Sequence, residues 1–88
     1  MGYRIVNNND GRREYVFAVT ELDVEICGAW RAHEQTGWTG YVTELVRSHT
    51  RLWITGHAQF VGRQTALSWV ELIAALYAGA TQDHFAIH

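Results

Sequence analysis

One cysteine, five histidines and a cluster of carboxylates are the groups in this 88-residue chain that could carry out chemistry. Cys27 would act as a nucleophile only as an activated thiolate, with His33 or His57 as its base, in a partly exposed electropositive pocket. No local signature frames it, so it reads as a small packed strand residue. His84 and His88 stand four apart, the spacing of two ligands on one helical face, but Phe85-Ala86-Ile87 between them is not clearly helical. No Cys-x-x-Cys or His-Glu-x-x-His spacing occurs, and the histidines read as surface groups rather than metal ligands. Glu21, Asp23 and Glu25 cluster near a turn as solvated charges. Gly37 and Gly40 are not followed by a Gly-Lys-Ser/Thr run, so no phosphate loop is expected. All seven basic residues are arginine, which removes lysine nucleophile and Schiff-base chemistry. No catalytic residue, metal or cofactor is expected.

The aromatic residues are the unusual feature: four Trp, four Tyr and three Phe. Trp30 and Trp69 are expected in the core. Trp53 alternates with Leu52 and Ile54, so it falls on the opposite face of its strand. There it groups with Arg51, His57 and Gln59, and with Tyr41 nearby. Arginine beside tryptophan is the composition of a recognition patch. These five residues are the expected partner-binding set.

The elements that would hold this patch follow from periodicity. Tyr3 to Asn7 and Glu14 to Thr20 alternate as strands, and Asn7 to Gly11 between them is a turn signal. Val24 to His33 is a third strand, with Val24, Ile26, Gly28, Trp30 and Ala32 on its covered face and the more polar set on the wet face. Trp38 to Arg47, interrupted by Gly40, is a fourth, with a turn at Ser48-His49-Thr50. Arg51 to Val61 is a fifth. Ala66 to Tyr77 is rich in Ala and Leu and predicts a helix, with Thr65 as N-cap and Gly79 as terminator. Residues 80–88 read as a tail with a short strand at Phe85 to Ile87. The expected fold is α+β, a single domain over residues 1–88: a mainly antiparallel sheet of about five strands with one C-terminal helix on one face. Val19-Thr20-Glu21-Leu22 recurs as Val42-Thr43-Glu44-Leu45, a weak echo short of a repeat architecture.

Leu67, Leu72 and Ala75 widen the apolar arc of the helix beyond what one sheet would cover. They are the expected dimerisation residues, and a homodimer is expected through this helix or by pairing of edge strands.

The formal charge of −2 gives no large basic field for nucleic acid, and no apolar run is long enough to span a membrane. The start of the chain lacks the pattern of a signal peptide, and a lone cysteine suits a reducing compartment, so a cytoplasmic setting is expected. The functional expectation is a small non-enzymatic protein-interaction module. Its size and character suit a regulator or inhibitor, a phage-borne counter-defence protein among them. The alternatives are binding of single-stranded nucleic acid or a small ligand on the open sheet face, and a small enzyme built on His33, His57 and Cys27.

Overall fold

The computed structural model describes the backbone of residues 2–49 and 57–86 and the side chains of 2–48 and 58–79. Five strands and two helices lie within them: β1 (Arg4–Asn9), β2 (Arg13–Val19), β3 (Glu25–Ala32), β4 (Trp38–Val42), α1 (Glu44–His49), β5 (His57–Phe60) and α2 (Arg63–Ala86). The strands form one antiparallel meander in the order β1-β2-β3-β4-β5. α2 packs across β2 to β5, and α1 fills the corner between α2, β3 and β4. The expected α+β architecture is therefore the observed one.

The face covered by α2 is built from small residues. Val16, Ala18, Cys27 and Ala29 are fully buried there, and Gly40 lies in direct register with Ala29 and Ala58. α2 presents Ala66, Val70, Ile73, Ala74 and Tyr77 to this floor, with Trp69 at its margin. Trp69 stacks obliquely on Phe60, with ring centroids 5.3 Å apart. A Cβ placed on Gly40 would come within 2.8 Å of both rings. The bare backbone of Gly40 is thus what lets the tryptophan settle onto the sheet.

Several boundaries differ from the sequence-based expectation, each for a local reason. β1 continues through Asn9 instead of turning at Asn7. Asn8 and Asn9 pair with Tyr15 and Glu14, while Arg63 and His33 donate to the side-chain oxygens of Asn7 and Asn9. The turn itself falls on Asp10 and Gly11. Asp10 Oδ1 accepts from the backbone N–H groups of Arg13 at 2.9 Å and Arg12 at 3.0 Å, and Gly11 takes φ +88°. Those two N–H groups, Arg13 first, hold the Asp10 carboxyl below its usual range.

The fourth strand ends at Val42 rather than Arg47. Continued alternation from Trp38, Gly40 and Val42 would carry Glu44 into the covered face. Instead Thr43 donates its hydroxyl to the carbonyls of Glu25 and Ile26, each at 2.8 Å. Its own carbonyl accepts from Val46 and Arg47 and starts α1. The helix leaves Glu44 exposed and brings Val46 into the core. Ser48 and His49, expected in a turn, belong to α1.

α2 is also longer than the expected Ala66 to Tyr77. Its first helical bond runs from Ala66 N–H to the carbonyl of Gly62, so Gly62 and not Thr65 holds the capping position. Gly79 lies inside the helix and does not end it, because one glycine costs about 1 kcal/mol in an otherwise alanine-rich segment. Phe85 and Ala86 are helical and not a strand, while Ile87 lies outside the described residues.

Two glycine substitutions test this packing. Gly40→Ala should push Trp69 off the sheet and cost ~1–3 kcal/mol, read as a lower urea midpoint. Gly79→Ala, with nothing within 4 Å of the added carbon, should instead raise the midpoint, by ~0.5–1 kcal/mol.

Candidate interaction surface

A bulge in β3 decides which side chains face away from α2. Ala18 pairs with Cys27 but Val19 pairs with Glu25, so Ile26 is an extra residue. Ile26 and Cys27 are both fully buried in the same core. Beyond the bulge the alternation is reversed relative to a strict period of two. Cys27, Ala29 and Arg31 therefore lie on the covered face, and Gly28, Trp30 and Ala32 lie on the open one. This corrects the sequence-based placement of Trp30 in the core; Trp69 does pack against the core, partly buried.

Register then lines up two rows across all five strands of the open face. One runs Asn8, Tyr15, Trp30, Thr39, Gln59; the other runs Val6, Phe17, Gly28, Tyr41, His57. Tyr15, Phe17, Trp30 and Tyr41 are all half-buried, while Asn8 and Gln59 are exposed. The exposed Arg13 sets its guanidinium 4.5 Å from the centroid of the Trp30 ring. A cation over an indole keeps the ring fixed and its edge presentable.

Gly28 is the low point of this face. A Cβ there would meet the Tyr41 hydroxyl at 2.5 Å and Phe17 Cβ at 2.8 Å. Tyr41 consequently lies across the glycine and donates its hydroxyl to Glu25 Oε2. Burial, and then this bond to Glu25, pushes the phenol well above its ordinary range. Tyr41 thus contributes an anchored ring flank rather than a titrating group.

The expected partner-binding residues divide accordingly. Tyr41 and Gln59 lie on the open face, and His57 takes the register position beside Tyr41. Arg51 and Trp53 lie outside the described residues, as do Leu52 and Ile54. Sequence reasoning missed Arg13, Tyr15, Phe17 and Trp30. The signal was present: Tyr15 and Phe17 alternate with Val16 and Ala18, and the smaller pair suits a closely seated helix. Of the expected dimerisation residues, Leu67 is half-buried against the core, while Leu72 and Ala75 are exposed beside Leu76.

On the covered face, Glu14 accepts from Arg31 at 3.2 Å and from Arg63 at 3.3 Å. Arg31 also donates to the carbonyl of Gln35 and lies 5.9 Å from the Trp38 ring. Glu14 supplies a carboxylate to the start of α2, whose own first turn has none.

The candidate catalytic groups are not brought together. Cys27 lies under α2, with Sγ 3.5 Å from the carbonyl of Val70. By register His57 belongs to the opposite face, and His33 is exposed and bonded to Asn9. Among the described residues no three His, Cys, Asp or Glu are grouped to hold a metal ion, and no helix is long and apolar enough to cross a membrane. The described residues of the open face form a scaffolded aromatic surface. Comparison with protein-family models, curated proteins and solved structures finds no match for this chain.

Burial pushes the Cys27 thiol up to about 12, with the Glu25 charge adding to the effect. The folded thiol holds its proton more tightly than the unfolded one, so its contribution is complete below pH 9 and is lost as pH rises toward 12. Urea titrations should show stability falling by up to ~1.4 kcal/mol per pH unit from the thiol in that window; Cys27→Ala should flatten the slope between pH 9 and 10 and reduce it above, where the raised Tyr41 phenol adds its own loss. A thiol reagent at pH 8 should label Cys27 only after unfolding.

Proposed function

We propose that this chain is a non-enzymatic interaction module that docks a partner protein on the open face of its sheet. The observation that carries the reading is the pair Tyr15 and Trp30, side by side on central strands, with Arg13 stacked on the indole. Tyr, Trp and Arg are the residues in which binding energy concentrates at protein interfaces. Here they are held by backbone register, so little conformational freedom is lost on docking. The surrounding Asn8, Thr39 and Gln59 supply a polar rim. A role as regulator or inhibitor in a cytoplasmic setting, including counter-defence by a phage, suits a small scaffold whose open face is an aromatic surface.

Flat aromatic rows with an arginine also suit the bases of single-stranded nucleic acid. The net charge of −2 favours a protein partner instead, since phosphate backbones demand a basic field.

Affinity capture with Trp30→Ala and Arg13→Ala beside the wild type separates these readings. A specific protein retained by wild type and lost at least ~10-fold in Trp30→Ala supports the proposal. Trp53→Ala in parallel tests the part of the patch singled out by sequence. Salt-sensitive retention of a single-stranded oligonucleotide, abolished in Arg13→Ala, would replace it with the nucleic-acid reading.

A further inference from the structure

We propose that two copies of this chain pair edge to edge through β1, antiparallel, about a two-fold axis perpendicular to the sheet with Asn7 opposite Asn7. The inference is independent of what the open face binds.

β1 is an outer strand with β2 as its sheet neighbour. Its hydrogen-bond phase is fixed by the N–H of Asp10 donating to the carbonyl of Arg13. In an antiparallel ladder such pairs recur at every second residue. Asn8, Val6 and Arg4 therefore spend their backbone groups on β2, and Ile5, Asn7 and Asn9 turn theirs outward. The β1–β2 register is unbroken, with no bulge to twist the edge away. The chain contains no proline and no lysine, the two residues that most often blunt such an edge.

What the edge templates is a copy of itself. A perpendicular two-fold keeps both sheets the same way up, so facing residues must share a side of the sheet. Centred on Asn7, the register sets Ile5 opposite Asn9 and Val6 opposite Asn8. The outward N–H and C=O groups of Ile5, Asn7 and Asn9 then all find partners, in about six backbone hydrogen bonds. The same register sets Arg4 opposite Asp10 at both ends; at its centre it brings together the two Arg63 guanidiniums that bond Asn7, each paired with the Glu14 of its own copy. Arg4 contacts Asp23 through one nitrogen of its guanidinium, leaving further donors for the partner copy. α2 packs chiefly under β2 to β5 and touches the β1 segment at its two ends, through Arg63 on Asn7 and Ala78 beside Gly2. The outer face of α2 is the weaker candidate. Among its described residues it exposes Leu72, Ala75 and Leu76, three side chains with no outward backbone groups to fix a register.

The product is one continuous ten-stranded sheet, with both helical layers on one side and both aromatic faces on the other. The row Val6, Phe17, Gly28, Tyr41 of one copy would continue into Asn8, Tyr15, Trp30, Thr39 of the next.

Sedimentation equilibrium at about 300 µM tests this, the concentration suiting a small edge interface. Wild type should approach twice the 10.0 kDa chain mass. Asn7→Pro should sediment as a monomer with an unchanged far-UV spectrum, because it removes an outward N–H and no bond to β2. In Asn7→Cys the facing Cα atoms would lie about 5.5 Å apart, inside the disulfide window. Mild oxidation in native buffer, where Cys27 is buried, should then link the copies. A monomeric wild type, a dimer that survives Asn7→Pro, or an Asn7→Cys protein that does not cross-link overturns the proposal. Should Asn7→Pro fail to fold, the cross-linking result decides.

Discussion

The close seat of α2 on a floor of small side chains is the constraint from which the rest of this molecule follows. Ala18, Cys27 and Ala29 leave the helix room to approach, and Gly40 leaves room for Trp69. Close-packed interiors admit no spare volume, so bulk excluded from one face of a strand must go to the other. Phe17, Trp30 and Tyr41 are that displaced bulk. The open aromatic face and the tight core are two sides of one volume balance, and Gly28 completes it by giving Tyr41 a place to lie flat.

Much of the architecture could be read from residue order. Strands two and three, their turns and the C-terminal helix follow from alternation, Asp-Gly chemistry and the run of Ala and Leu. The face assignment of β3 could not be read that way. A period of two carried through Val24, Ile26, Gly28 and Trp30 is broken by one extra residue, and Ile26 and Cys27 are both apolar enough to go inward. Nothing local in the sequence announces a bulge whose cause is pairing with Val19 on another strand. The composition of the open face depends on the same bulge: Tyr41, Gln59 and His57 share it by simple alternation of β4 and β5, whereas Trp30 reaches it only because of the extra residue in β3. The Glu14 bridge between Arg31 and Arg63 was invisible because it joins three elements remote in sequence.

The echoed tetrapeptide shows how little local sequence decides alone. In both copies Val ends a strand and Thr follows it. Thr20 Oγ1 accepts from the N–H groups of Leu22 and Val24, and Asp23 takes φ 63°, so the chain folds back as a hairpin. Thr43 instead donates to the neighbouring strand, and its carbonyl opens a helix. The residue after the repeat separates the outcomes. Asp23 tolerates a left-handed backbone, while Val46 gains by entering the core. Leu22 is left 86% exposed, and its counterpart Leu45 packs against the interior.

The meander order has a consequence for how the protein is made. Every strand pairs with the one synthesised just before it, so the sheet can be laid down hairpin by hairpin as the chain leaves the ribosome. The helix that seals the covered side is translated after all five strands. For that interval Val16, Ile26 and Val42 face water on a finished but unroofed sheet. The time between the emergence of β5 and the docking of α2 is when the nascent chain is most open to aggregation and to chaperones.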